Sequence, residues 1–101
     1  MICVIASIKV KEGARDAFLE IFHGNVPRVR GEQGCLEYLP AVDIDSGLPL
    51  QIFDESTVTI LEKWESLEAL GAHLASPHML DYREKVKNLV EGVSLKVLQQ
   101  G

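Results

Sequence analysis

The chain has 101 residues, of which 47% are hydrophobic and 25% charged, and a formal net charge of −5. This length fits one domain, residues 1–101, and the composition is that of an ordinary globular protein. No apolar run reaches the length of a membrane span, and no basic cluster offers the positive surface that nucleic acid requires. The first residues lack the features of a signal peptide, so a cytoplasmic location is expected.

The chain opens with a predicted strand from Ile2 to Val10, an almost continuous apolar run rich in β-branched residues. Apolar side chains then recur at the 3.6-residue spacing of a helix, whose buried face is expected to carry Ala14, Phe18, Ile21, Phe22 and Asn25. Because proline cannot donate a backbone hydrogen bond, we expect this helix to kink or break between Gly24 and Pro27.

Two further strands are predicted in the middle of the chain, at Cys35–Val42 and Thr57–Trp64. The second of these strands alternates cleanly, and one of its faces carries Val58, Ile60, Glu62 and Trp64. Residues 43–56 are rich in turn-forming types, so we expect a long excursion between the two strands.

Two helices and a last strand are predicted in the remaining residues. Ser66 is expected to cap the first helix, whose buried side is formed by Leu67, Leu70, Gly71 and Leu74. Ser76 and Pro77 are expected to begin the second helix, whose buried face is formed by Met79, Tyr82, Val86, Leu89 and Val90. Gly92 is expected to end that helix, and residues 93–99 form the last predicted strand.

The predicted order of elements, βαββαβ, is the ferredoxin-like α+β plan, with an antiparallel sheet in strand order 4-1-3-2. In that order Cys3 and Cys35 lie on strands separated by a third, roughly 10 Å apart, so both are expected to be reduced thiols. Helices can cover only one face of this sheet, yet the strands are apolar on both faces. We therefore expect a homodimer in which a second copy covers the open face.

His73 and Trp64 are the residues most suggestive of a functional site. On a helical wheel His73 falls about 110° from the centre of the buried stripe, on the flank of its helix. There the imidazole could move protons in a cleft between helix and sheet, or it could be solvated or bonded to a carbonyl. Trp64 ends a strand and is, by itself, more typical of a large core anchor.

The other polar candidates have local explanations as well as functional ones. His78 is expected to act near the Ser76 cap, and Asn25 needs a hydrogen-bond partner on the buried side of its helix. Tyr38 and Tyr82 are each either a hydroxyl donor to a ligand or a packed aromatic with one hydrogen bond. The three histidines do not have the spacing of a metal site, so no metal is expected.

Three segments, IKVKEG, EQGCLEY and LEKWESLEALGAHLASPHM, resemble the antibiotic biosynthesis monooxygenase family, which includes quinol monooxygenases. The resemblance covers most of the chain, and its most specific part is the pattern E-x-W-x-S-x-x-A-L-x-x-H-L-x-S-P-H. It implies a dimeric α+β barrel, in which two ferredoxin-like sheets lie face to face, in agreement with the homodimer expected from the strands.

The resemblance also implies an activity, the oxidation of a small electron-rich aromatic (a phenol or a quinol) by dioxygen without metal, flavin or other cofactor. Loss of a proton from such a ring makes an anion that can itself reduce oxygen, and the protein supplies a base, hydrogen-bond donors and a dry pocket. By the resemblance, His73 would be the base or the hydrogen-bond acceptor for the ring hydroxyl. Trp64 would be a pocket wall and an indole donor.

Relatives on the same fold leave other functions to consider. Those that degrade haem use an asparagine, a tryptophan and a histidine where this chain has Ala6, His73 and Arg83, which disfavours haem chemistry. Another relative acts on a phosphorylated autoinducer sugar, and its TPH-like motif is similar to Ser-Pro-His at 76–78, so an isomerase of a small carbonyl or sugar-derived compound stays open. A non-catalytic dimeric ligand-binding module is the third possibility. The excursion at 43–56, longer than the usual turn in the family, is expected to reshape the pocket mouth or to exchange across the dimer.

Overall fold

In the computed structural model, which describes residues 1–101, four strands form one antiparallel sheet and three helices pack on one of its faces. The elements are β1 (Ile2–Val10), α1 (Arg15–Arg30), β2 (Cys35–Val42), β3 (Thr57–Trp64), α2 (Leu67–Leu74), α3 (Pro77–Val86) and β4 (Val90–Leu98). The strands lie in the order β2-β3-β1-β4, which confirms the predicted strand order and the ferredoxin-like α+β fold. None of the helices combines the length and the apolar character needed to cross a membrane.

The core lies between the helices and alternate residues of β1 and β3. Antiparallel pairing sets Ala6 opposite Ile60 and Ile8 opposite Val58, so these four side chains point to the same face of the sheet. All four are buried, as expected from the alternating pattern of β3. Strand register in this fold is therefore fixed by the burial of one face, because a slip of one residue would turn the core toward solvent.

β4 differs from the central strands because it lies at an edge of the sheet and the helices do not cover it. Val93 and Leu95 pair with Ile8 and Ala6 and so belong to the helix-facing side of the sheet. Both nevertheless remain exposed. The space above β4 is therefore open, and its floor is apolar.

α1 runs without interruption from Arg15 to Arg30 and includes Pro27, so the helix does not break at Gly24–Pro27, and the alternative of a kink there stays a prediction. A proline inside a helix costs about 3 kcal/mol, because one backbone bond is lost and the ring crowds the preceding turn. Burial of Phe18, Phe22 and Val29 on the sheet offsets that cost, since each such side chain contributes about 1.5–3 kcal/mol.

The buried side of α2 differs from the predicted stripe. Leu67 is 61% exposed and Leu74 is 38% exposed, whereas Leu70 and His73 are buried. α2 is only eight residues long, so the single row formed by Leu70 and His73 decides which side faces Trp64 and the sheet. His73 therefore lies in the core, and the predicted flank position is wrong.

α3 begins as predicted, with Ser76 as its cap and Pro77 as its first residue, but it ends at Val86 and not at Gly92. The chain turns directly after the helix, and Lys11 donates a backbone hydrogen bond to the carbonyl of residue 89 at 2.9 Å. Gly92 instead lies inside β4, opposite Lys9 and beside a register shift in the pairing with β1. Pairing with β1 thus makes β4 begin earlier in the chain than predicted, and α3 is correspondingly shorter.

No helix covers the other face of the sheet, where Ile5 of β1 lies opposite Leu61 of β3 and both are only half-buried. Cys3 and Cys35 are free thiols, which agrees with the prediction that they do not pair. The segment 43–56, hereafter the arm, also carries exposed apolar side chains, and Leu50 at its centre is 97% exposed.

Candidate functional site

A cavity of about 440 Å³ opens between the helices and the sheet, next to the uncovered β4. Its size is within the range of small-molecule sites, and most of its lining is apolar. Every strand and helix contributes at least one residue to the wall. The apolar part of the wall includes Ala6, Ile8, Phe22, Ile60, Met79, Val86, Val93 and Leu95. No residue of the arm lines the cavity, so the expectation that it reshapes the pocket mouth is not met within one chain.

His73 lies in the last turn of α2 and lines this cavity, although only 1% of its surface is exposed. Its Nδ1 lies 2.8 Å from Oε2 of Glu32. A carboxylate oxygen can only accept, so Nδ1 carries the proton and Nε2 keeps its lone pair. Nε2 of His73 has no hydrogen-bond partner in the chain. Every fully buried side-chain nitrogen or oxygen has such a partner, so Nε2 is not fully buried and is reached from the cavity that His73 lines.

Burial lowers the pKa of His73, and the hydrogen bond from its ring to Glu32 opposes that shift. The imidazole is therefore neutral at pH 7, with the free lone pair directed at the cavity. A neutral imidazole held in one tautomer by a carboxylate is suited to accept a proton from a bound hydroxyl group.

Glu32 is brought to His73 by the turn between α1 and β2. Gly34 in this turn has φ +85°, and a Cβ at that position would lie 2.6 Å from the Cβ of Ala69 in α2. Only glycine lets the turn approach α2 this closely. Oε2 of Glu32 also lies 3.1 Å from Nε2 of His78, so one carboxylate oxygen contacts two imidazoles. Sequence reasoning missed Glu32, because nothing local distinguishes it from any polar turn residue.

Trp64 is fully buried behind His73, and the centroids of the two rings are 4.6 Å apart. Its indole N–H donates to Oε1 of Glu62 at 2.9 Å. Trp64 is not among the residues that line the cavity. Its position therefore differs from the predicted wall and ligand donor: it supports the ring of His73 and holds the carboxyl group of Glu62.

Glu62 is a cavity residue that sequence reasoning did not select. It is 8% exposed and lies on the helix-facing side of β3. Burial raises its pKa, the hydrogen bond from Trp64 opposes that shift, and the charge of Glu32 adds to it. Oε1 accepts a hydrogen bond from Trp64, whereas Oε2 has no protein partner. Because every fully buried side-chain oxygen has a partner, Oε2 is not fully buried and is reached from the cavity. The sequence feature that could have identified Glu62 is its charge on the otherwise apolar face of β3.

Tyr38 and Tyr82 both line the cavity, as the hypothesis of hydroxyl donors requires. The ring of Tyr38 stacks on Phe22 with a centroid distance of 5.2 Å and meets the ring of His73 edge-on at 5.4 Å. Tyr82 also packs edge-on against Phe22, at 5.8 Å. Burial raises the pKa of both phenols, so each hydroxyl stays protonated and can donate to a ligand.

Comparison with known proteins identifies the family of this chain. The family model of antibiotic biosynthesis monooxygenases matches residues 1–85. The chain belongs to the antibiotic biosynthesis monooxygenase family.

Relatives in this family cover essentially the whole chain. The chain is 40% identical over 103 residues to "Probable quinol monooxygenase YgiN" of Escherichia coli (strain K12), across 100% of this chain and 99% of that protein. Among solved structures, Rv0793 from Mycobacterium tuberculosis superposes with a TM-score of 0.81 at 28% identity, covering 98% of this chain and 93% of that one. SO0527 from Shewanella oneidensis gives 0.83 at 28% identity, covering 98% and 89%.

Besides Trp64, two of the residues selected from the sequence lie outside the cavity of this antibiotic biosynthesis monooxygenase family member. Asn25 is buried, and its Nδ2 donates to Sδ of Met79 at 3.4 Å. His78 contacts Glu32 and lies 3.3 Å from Oγ of Ser76, which agrees with the expected role near the cap. Both residues therefore support the site from behind, whereas His73, Tyr38 and Tyr82 line the cavity itself. No group of three or more His, Cys, Asp or Glu residues could hold a metal ion.

Proposed function

We propose that this chain is a monooxygenase that oxidises a small quinol or phenol with dioxygen and uses no metal, flavin or other cofactor. The observation that carries the proposal is the imidazole of His73, fixed through Nδ1 by Glu32 at 2.8 Å and open through Nε2 to an apolar cavity. The similarity to the Escherichia coli relative, a probable quinol monooxygenase at 40% identity, supports the same class of substrate.

In the proposed reaction, Nε2 of His73 accepts the proton of a ring hydroxyl, and the resulting anion donates an electron to dioxygen. Recombination at a ring carbon forms a C–O bond and gives a ring hydroperoxide. The O–O bond then breaks, the ring carbon becomes a carbonyl, and the second oxygen atom leaves as water. For a hydroquinone, the quinol and dioxygen give a hydroxyquinone and water, so atoms and electrons balance.

The remaining wall residues suit this chemistry. The hydroxyls of Tyr38 and Tyr82 stay protonated and can donate hydrogen bonds to the developing oxyanion of the ring. The apolar lining excludes water from the anion, which strengthens those hydrogen bonds and limits side reactions.

An oxygen electrode tests the proposal directly. Oxygen uptake with a small hydroquinone should exceed autoxidation and should fall about 10²–10⁴-fold in His73→Ala, the usual contribution of a positioned base. His73→Gln, which can still bond to Glu32, separates loss of the base from loss of packing, and circular dichroism reports the fold of both variants. Equal rates in wild type and both folded variants would remove His73 from the reaction. Turnover of a small carbonyl compound without oxygen would instead indicate an isomerase, and ligand binding without any turnover would indicate a binding module.

We also propose that the chain is a homodimer. The support is the face of the sheet around Ile5 and Leu61, which no helix covers, together with the exposed apolar side chains of the arm. Burial of such a face against a second copy would remove apolar surface from water on both sides. Sedimentation velocity at micromolar concentration should give a single dimeric species, and a monodisperse monomer would contradict the proposal.

A further inference from the structure

Two proton acceptors reach the cavity from different elements of the fold. His73 presents Nε2 from α2, and Glu62 presents Oε2 from β3. Trp64 connects the two, because its ring lies 4.6 Å from the ring of His73 and its N–H bonds to the other oxygen of Glu62 at 2.9 Å. The relative positions of the two acceptors are thus fixed by one buried indole.

Glu62 is more than a structural partner of Trp64. A hydrogen bond to an indole needs one acceptor, which a glutamine or a backbone carbonyl could supply without burying a carboxyl group. Burial of a carboxylate costs several kcal/mol unless it is fully bonded, so a free oxygen facing a ligand cavity is unfavourable for folding alone. Such a group is expected where a ligand completes its hydrogen bonds.

We propose that Glu62 is a second catalytic base, which accepts the proton of a second ring hydroxyl while His73 accepts that of the first, and that the cavity therefore selects dihydroxy rings over monohydroxy ones. The inference rests on the proposed quinol oxidation. Both ring hydroxyls of a hydroquinone lose their protons on the way to a hydroxyquinone, and two protons leave with the reduced oxygen atom as water. The proton from the attacked ring carbon is retained in the hydroxyl group of the product. Two acceptors on the wall of one cavity match that requirement.

The groups around Glu62 are consistent with this role. Trp64 neighbours it on β3, Tyr38 faces it from β2, Tyr82 from α3, and the charge of Glu32 acts on it from the α1–β2 turn. His73 on α2 and Arg83 on α3 line the same cavity. Burial makes Glu62 a stronger base than an ordinary carboxylate, and the bond from Trp64 moderates that effect.

Glu62→Gln tests the inference, because the amide oxygen can still accept from Trp64 while the second base is lost. We expect kcat/KM for hydroquinone to fall at least about 100-fold, the lower end of the usual contribution of a positioned base. The inhibition constant of hydroquinone monomethyl ether, which lacks the second hydroxyl, should stay unchanged. On the acid side, log kcat/KM of wild type should approach a slope of 2 against pH, and that of Glu62→Gln a slope of 1. Glu68→Gln, an exposed change on α2, is the matched control and should behave as wild type.

Three results would overturn the inference. Glu62→Gln could keep hydroquinone turnover within twofold, could retain the slope of 2, or could weaken binding of the ether as much as it lowers hydroquinone turnover. The last result would indicate that Glu62 only shapes the site, and the fluorescence of Trp64, the single tryptophan, would report such a change. Failure of the proposed function itself is a different observation, namely no oxygen uptake above autoxidation in wild type.

Discussion

Replacement of Glu32 by glutamine is the sharpest single test of the site, because it changes a charge and preserves the volume. In the structure, one oxygen of Glu32 contacts His73 Nδ1 at 2.8 Å and His78 Nε2 at 3.1 Å. A hydrogen bond to a charged group contributes about 1.5–3 kcal/mol to stability and a neutral one about 0.5–1.5 kcal/mol. The difference is about 1–1.5 kcal/mol for each contact, so loss of charge at both contacts should lower the free energy of unfolding by about 2–3 kcal/mol.

Glu32→Gln should also lower the proposed turnover. A glutamine can present either its oxygen or its NH₂ group to His73, so it no longer enforces the tautomer with a free lone pair at Nε2. We expect kcat/KM to fall about 10–100-fold, less than the loss of about 10²–10⁴ for removal of the base itself. The carboxylate of Glu32 also raises the pKa of His73 against the effect of burial. Without it, that pKa should drop further, and the acid limb of kcat/KM against pH should move to lower pH.

The assay is oxygen uptake with a hydroquinone from pH 4 to 9, paired with urea denaturation of the same samples. Glu68→Gln again serves as the control, since Glu68 is exposed and bonds to no side chain in the structure. An acid limb that stays in place or moves to higher pH in Glu32→Gln would refute the coupling between Glu32 and His73. Unchanged turnover would refute the tautomer argument.

Two further predictions concern stability. Gly34→Ala should lower the free energy of unfolding by more than about 2 kcal/mol, because left-handed backbone strain of about 1–2 kcal/mol adds to the contact with Ala69 at 2.6 Å. Gly47→Ala, with φ +72° and open space around it, should lose only the part due to strain. Urea denaturation of both variants compares them. Burial raises the pKa of Glu62 above its ordinary value of 4.5. The protonated carboxyl group therefore stabilises the folded state at pH values below 4.5, and this stability is lost as the pH rises through the pKa of the folded state. The free energy of unfolding of Glu62→Gln, measured relative to that of wild type, should therefore be higher at pH 8 than at pH 4. An equal difference between the two proteins at both pH values would contradict this.

The sheet could be predicted well from the sequence because its pattern is local. The predicted bounds of β1, β2 and β3 agree with the structure; β1 follows from a continuous apolar run and β3 from apolar alternation, and the strand order follows from the order of elements. The end of α3 could not be predicted, because Gly92 is drawn into β4 by pairing with β1, a contact between distant parts of the chain. The unbroken α1 has the same kind of cause, since packing on the sheet offsets the cost of Pro27.

The site was less accessible to prediction than the fold. His73 could be selected by residue type, but its burial depends on which side of α2 faces Trp64, and a two-turn helix carries too few residues to fix that side. Glu32 lies 41 residues from His73 in the chain, and its carboxylate meets the imidazole only after α1, β2 and α2 have packed. Glu62 did carry a signal, as a lone charge among apolar residues on one face of β3.

The edge position of β4 also affects how a substrate could enter and leave. Val93 and Leu95 form part of the cavity wall, yet their strand is paired on one side only, with β1. Edge pairings open at lower free energy than central ones, so amide exchange should be faster in β4 than in β1 or β3. Fraying of this last strand would widen the cavity while leaving Glu32 and His73 in place, so ligand traffic and chemistry would depend on separate parts of one small domain.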